Sequence, residues 1–429
     1  MGIAMKLMFT FVTYIFIALL LTSCPSSIDN KASAKEPDYT IHIIWESDIQ
    51  RPFVNMMSSD ETGIYLYNYQ EHDFTTVRLN KIDSETGKTL WTTDWFEEVS
   101  LDPPKIIDNH IYALLSGNVI LCFDKKTGNQ LARARIVFNN KNIWITSDYY
   151  NYVDHFYFGL GDTIIDDYYL ARINIDLIAK DGDLQEQTIE AELLWKSPGN
   201  NRIRTRPLVY NDIVYCNTAT LDLNTPVEMA GIKIHSKEMV FYYSFGGDGY
   251  YNIDHGFAKI SFFASDNMLY YLGESLAAYN LKNYEKIYHI VFDINTPQDK
   301  FYGASTYLVD VTFYKNNIYY TNNAANTHGG NAQNIFCINK LNGKLIWSDI
   351  PKVSESLGTN PIIYDNKVFI SHMGGIRVYD ADTGTLIGVE KRIEGSGLCY
   401  NQLYGSTMIT ARHNTEYPNG QIIALDLRN

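Results

Sequence analysis

The chain has 429 residues, 45% of them hydrophobic and 20% charged, which is the composition of a folded protein and excludes a largely disordered one. Its 35 Lys and Arg against 49 Asp and Glu give a formal net charge of -14, which argues against a general nucleic-acid binder because phosphate binding needs a concentrated positive field. Aromatics make up 14% of the chain, with 33 Tyr and 20 Phe, and favour pleated, half-buried surfaces, so a mostly β protein is expected.

Residues 1–23 read as an export signal: Lys6, an apolar run from Leu7 to Leu20, then Leu21-Thr22-Ser23-Cys24. Met5, followed directly by Lys6 and the apolar run, also serves as a start. The ending resembles a bacterial lipobox, which implies that Cys24 is lipidated and becomes the mature N-terminus. An uncleaved anchor and a plain signal with a fortuitous cysteine are the alternatives, and either still exports the protein. Residues 24–38 are polar and unpatterned, as a tether to a folded domain would be. Beyond the signal, no apolar stretch approaches the roughly 20 residues of a membrane-spanning helix. Cys122, Cys216, Cys337 and Cys399 are widely spaced in apolar, strand-like runs and read as buried free thiols.

From residue 39 onward, self-similarity organises the chain. Asp83-Ser84-Glu85-Thr86-Gly87 leads to Trp91, and Asp124 to Gly128 leads to Ala132 at the same offset. Asn339 to Gly343 leads to Trp347, and Asp380 to Gly384 leads to Gly388. Two worn copies run from His235 to Tyr243 and from Asn280 to Tyr288. Each frame reads as a hairpin: the short polar side chain closes a turn on its own backbone, and glycine supplies a positive φ. A strand pair this short cannot bury its own large aromatic, so the ring must pack on a neighbouring copy. Upstream of the hairpins, Asp108-Asn109, Asn211-Asp212, Asp266-Asn267, Asn316-Asn317 and Asp365-Asn366 each precede a β-rich run and mark a second turn, giving four strands per copy.

Eight units tile the chain at 61–95, 104–136, 146–198, 206–245, 258–292, 308–350, 360–391 and 396–429, with a mean period of about 49 residues. Four-stranded repeats of this length point to an eight-bladed β-propeller. The last unit has no room for its outer strand, whereas Tyr39 to Trp45 is an unclaimed strand; the segment 39–46 is expected to complete blade eight and close the ring. The Asp-x-x-Thr-Gly-x-x-x-Trp frame at Asp83 to Trp91, with its weaker relatives, resembles the tryptophan-docking repeats of quinoprotein-like (PQQ-like) propellers over residues 39–429. Only four of the eight repeats keep the Thr/Asn-Gly turn.

The enzymatic branch of that resemblance implies a bound quinone with Ca²⁺ and an aspartate base. This chain shows no adjacent cysteine pair, no C-x-x-C-H and no constellation to hold such a cofactor, and it carries no H-E-x-x-H, G-x-S-x-G or Walker A motif. No catalytic residue, metal or cofactor is therefore expected. Three histidines, His328, His372 and His413, lie between the second and third strands of blades six, seven and eight, on one face of the disc. They are weak metal candidates, because equivalent points on adjacent blades diverge from the axis. Gly246 to Asp254 mixes carboxylates with glycine but lacks the ligand spacing of a Ca²⁺ loop. The inserts Asp176 to Glu192 and Asn217 to Gly231 interrupt blades three and four and are where specificity is expected.

Together these features resemble the outer-membrane assembly factor B family, which implies a non-catalytic scaffold held on the periplasmic face of the outer membrane, with a protein partner in a β-barrel assembly complex. Two alternatives stand beside it: a surface or periplasmic lipoprotein that binds another ligand, and a quinone-dependent dehydrogenase.

Overall fold

The computed structural model describes residues 37–429 apart from 50–51, 71–72, 98–102, 116–117, 140, 163–166, 181, 183, 200, 204, 220–227, 245–260, 273–274, 292–310, 326–330, 350–359, 373, 394–400, 413–419 and 429. The signal, Cys24 and nearly all of the tether lie outside the described residues, as do Cys399, His328, His413 and the Gly246 to Asp254 segment.

Eight antiparallel sheets follow one another along the chain, each built on four strands in meander order. Blade one comprises Pro52–Asp60, Gly63–Gln70, Asp73–Ile82 and Thr89–Thr92. Blade seven comprises Ile362–Tyr364, Lys367–His372, Gly375–Asp380 and Leu386–Glu390. First strands of several adjacent blades lie side by side, as strands around a common axis do. The ring closes as expected: His42–Glu46 pairs antiparallel with Gln421–Asp426 as the outer strand of blade eight. Among the described residues the only helical element is one 3-10 turn, Ile175–Leu177.

The turns form for the reasons their residues suggest. Asp83 Oδ1 accepts from the Thr86 amide at 2.7 Å and the Thr86 hydroxyl at 2.8 Å, and Gly87 closes the loop at φ 71° with its N–H on Asp83 O. Asp124 with Gly128 and Asp380 with Gly384 repeat these bonds, and Asn339 makes the amide version before Gly343. The Asn211-Asp212, Asp266-Asn267 and Asp365-Asn366 pairs each hold two successive positive φ angles, the geometry that joins twisted strands through two residues.

After each of these third strands the outer strand bulges by one residue, and the residue beyond it occupies a fixed register position. The pairs are Ala424 with Trp45, Lys81 with Trp91, Cys122 with Ala132, Gly231 with Phe241, Ala278 with Tyr288, Cys337 with Trp347 and Val378 with Gly388, and at the same place along the third strand of blade three Arg172 pairs with Glu192. Rings at this position lie on the glycine of the next blade. A Cβ on Gly87, Gly128, Gly343 or Gly384 would stand 2.4–2.7 Å from Trp45, Trp91, Tyr288 or Trp347 respectively. Each ring also donates to the carbonyl of the turn's second residue: Trp45 to Ser84 at 2.9 Å, Trp91 to Lys125 at 3.2 Å, Tyr288 to Lys340 at 3.1 Å and Trp347 to Ala381 at 2.8 Å.

Core side chains fill the spaces between blades rather than a single centre. One cluster joins Tyr65 and Tyr67 of blade one to Ile111 and Leu121 of blade two, and another runs from Tyr215 of blade four through Tyr270 to Tyr320 of blade six. The high tyrosine content thus serves as packing: among the described residues, eleven of the twelve largest fully buried side chains are tyrosines.

Three sequence expectations need correction. Blade one starts at Pro52, nine residues ahead of the unit expected at 61, because Pro52–Asp60 is its first strand. The worn hairpin of blade four is framed by Lys233 and Phe241 rather than His235 and Tyr243: Lys233 N–H donates to Glu238 O, and Lys237 takes the glycine position at φ 58°. The Asp176 to Glu192 insert does not merely interrupt blade three, since its Glu186–Glu190 strand pairs parallel with Gln130–Phe138 and extends blade two.

Candidate functional site

The repeat residues Asp83, Gly87, Asp124, Gly128, Asn339, Gly343, Asp380 and Gly384 lie on one face of the ring, where the third strand turns into the fourth. Their roles there are structural, with Trp91 and Trp347 docked beside them. Hydrogen bonds from Thr86, Thr127 and Thr383 hold the carboxyls of Asp83, Asp124 and Asp380 below the ordinary aspartate value. Inter-blade ion pairs brace the same face: Lys125 to Asp60 at 3.0 Å, Lys340 to Asp266 at 2.7 Å and Lys315 to Asp382 at 3.1 Å.

The opposite face, where second strands turn into third strands, carries a different set of groups. His372 is there, but it is buried and its Nδ1 accepts from the Gly374 N–H at 3.0 Å, so that nitrogen holds its own loop. His328 and His413 lie outside the described residues. Among the described residues no three His, Cys, Asp or Glu side chains gather as a metal site.

The chain has six tryptophans. Trp45, Trp91 and Trp347 hold docking positions, whereas Trp195 pairs with Leu170, four residues before the end of its blade's third strand. Trp95 and Trp144 hold no docking position; they are 41% and 45% exposed, and each is stacked with an arginine. The Arg78 guanidinium lies 4.6 Å from the Trp95 ring centre, with its Nε donating to Asn68 Oδ1 at 3.1 Å. The Arg202 guanidinium lies 4.6 Å from Trp144 and 5.2 Å from Tyr168, and its Nε donates to the Tyr168 hydroxyl at 2.8 Å.

Local sequence places both stacks. Trp144 pairs with Gly161 and Arg202 with Ala219, so the two belong to the first strands of blades three and four. Gly161 makes room for the Tyr168 ring, because a Cβ there would stand 2.9 Å from it. A guanidinium beside aromatic rings with its Nε already bonded has lost much of its side-chain freedom, and Trp, Tyr and Arg are the residues that dominate protein interfaces. The stacks went unseen in the sequence because their partners sit on different strands; the available signal was that Trp95 and Trp144 have no place in the repeat.

Burial pushes the thiols of Cys122, Cys216 and Cys337 up to about 11, 12 and 12, which leaves them unreactive as nucleophiles near neutral pH.

The family model described as outer membrane protein assembly factor BamB matches residues 42–143, most of the first two blades with the closing strand. No curated protein sequence matches the chain. Among solved structures, BamB from Moraxella catarrhalis superposes with a TM-score of 0.57 at 11% identity, over 90% of this chain and 100% of that one. A europium-containing methanol dehydrogenase gives 0.63 at 10% identity, over 90% of this chain and 93% of that one. The quinohemoprotein alcohol dehydrogenase from Comamonas testosteroni gives 0.61 at 10% identity, over 94% and 78%. These likenesses establish the PQQ-like eight-bladed propeller fold, which scaffold and dehydrogenase share.

Proposed function

We propose that this chain is a non-catalytic scaffold of the cell envelope, anchored by a lipid on Cys24 to the periplasmic face of the outer membrane, that engages a protein partner through the surface around Trp95 and Trp144. The observation that carries this reading is the two exposed arginine–tryptophan stacks. Tryptophan and arginine are enriched among the residues that form interface hot spots. The match of residues 42–143 to the BamB family model supports a partner in a β-barrel assembly complex.

The reading includes no resident cofactor. Reconstitution with pyrroloquinoline quinone and Ca²⁺ is expected to give no alcohol- or sugar-dependent dye reduction, and turnover there would support the dehydrogenase alternative. The interface is tested by capturing the tagged protein from crosslinked membranes alongside Trp144→Ala and Arg202→Ala variants. Each is expected to lower recovery of the partner at least about tenfold, as hot-spot truncations do, with the thermal midpoint little changed. Undiminished recovery from both variants would remove the Arg202 stack from the interface.

A further inference from the structure

Blade seven has Gly388 at the docking position and so has no ring of its own to lay on blade eight. Blade eight in turn has no continuous third turn, because Asp426 ends its third strand near the C-terminus and its fourth strand comes from the N-terminal end of the chain. The seam between these blades therefore lacks both halves of the device seen between blades six and seven.

The segment just ahead of the closing strand fills the gap. It runs parallel to Leu386–Glu390, with Tyr39 N–H donating to Val389 O at 3.0 Å and Val389 N–H donating to Pro37 O at 2.9 Å. The bare α-carbon of Gly388 admits it: a Cβ there would stand 2.9 Å from Tyr39 Cβ and 3.0 Å from Pro37 O. Tyr39 packs against a buried cluster that includes Phe369 and Ile376 of blade seven and Met408 and Leu425 of blade eight. Its hydroxyl accepts from Lys367 Nζ at 3.3 Å. Farther along, the buried Glu390 carboxylate accepts from Ile41 N–H at 2.7 Å, and Arg392 Nη2 donates to Ile41 O at 3.0 Å.

We infer that residues 37–41 are a latch for the ring, in which Tyr39 supplies from outside the blade the docking side chain that blade seven lacks. The latch continues directly into the closing strand, so drawing it off the blade-seven edge uncovers the seam between blades seven and eight and pulls on the strand that closes blade eight. Tension on the chain ahead of Pro37 loads that seam first. The inference rests on the bonds of residues 37–41 and is independent of what the chain binds and of whether Cys24 carries a lipid.

Native-state amide exchange on the full-length protein in sub-denaturing guanidinium tests it. The Tyr39, Ile41 and Val389 amides are expected to open together with Ser47 and Leu427, whose N–H groups bond to Ile422 O and Ser406 O within blade eight. Tyr39→Ala should speed exchange at Ser47 and Leu427 by about tenfold or more while leaving Thr146 of blade three unchanged, and Tyr39→Phe, which keeps the ring, should match the wild type. Fast exchange of residues 37–41 in the wild type while Ser47 and Leu427 stay protected would overturn the latch. That wild-type pattern decides the matter even if the alanine variant does not fold.

Discussion

The ring of Trp347 lies on the α-carbon of Gly384 in the next blade and donates 2.8 Å to the carbonyl of Ala381. Where the glycine is lost the ring changes with it. At the blade four to five seam, Tyr284 occupies the glycine position at φ 58°, and the docking residue is Phe241, with ring centres 5.3 Å apart. A side chain at the turn thus accompanies a smaller ring with no hydrogen to donate. The two positions form one contact shared by consecutive blades, and this contact joins the sheets into a ring.

Gly384→Ala is expected to destabilise the protein by about 2–4 kcal/mol, because the new Cβ meets the indole and the residue keeps a left-handed φ of 69°. Gly405→Ala isolates the backbone component: φ there is 58° with nothing within 4 Å, so a loss of about 1 kcal/mol is expected. Urea unfolding with a common slope measures both.

Trp347→Ala should cost about 3–5 kcal/mol through the cavity it leaves. Trp347→Tyr should cost less than half of that, because Tyr288 already docks on Gly343 and donates to Lys340 O at 3.1 Å. Equal losses for the two variants would show that the ring's size, rather than its place and donor, sets the contact.

Acid should weaken the turns in a defined window. Hydrogen bonds from the threonines depress the carboxyls of Asp83, Asp124 and Asp380 below 3.8, and the Arg428 side chain takes Asp426 to about 2. Depressed folded values mean that this stabilisation is complete above the unfolded value and is lost as pH falls from about 4 towards 2. Glu390 follows the same sign: burial opposes its ionisation, and the bonds from Arg392 and Ile41 outweigh it. Unfolding midpoints should therefore fall below pH 4, and Asp124→Asn should flatten part of that fall while costing under about 1 kcal/mol at pH 7, since Asn339 makes the same turn in blade six.

Much of the ring was legible in the sequence because its turns are chemical. Aspartate, threonine and glycine at fixed offsets announce themselves, and Trp45 read as the missing outer ring of blade eight. Where the turn is made by Lys233 to Lys237 the backbone path persists with neither aspartate nor glycine, and the frame was read two residues late. Pro52–Asp60 shows no alternation, and Glu186–Glu190 joins an edge in parallel with no hairpin turn to mark it, so neither strand was found. The Trp144–Arg202 stack depends on two blades meeting in space, which no local pattern encodes.

The buried thiols provide a check on the inter-blade packing. Cys122, Cys216 and Cys337 should resist a maleimide at pH 7 in the folded protein and react on unfolding, with the thermal midpoint insensitive to reductant. Rapid labelling of Cys216, which is fully buried, would mean that blade four opens far more readily than its packing implies.

The most direct test of the scaffold reading is affinity purification of the tagged, full-length protein from gently crosslinked native membranes, with quantitative mass spectrometry of what accompanies it. Recovery of an outer-membrane β-barrel assembly protein in near-equal amount, lost with Trp144→Ala, is the expected result. Recovery of no membrane-embedded partner from the wild-type protein would contradict the account.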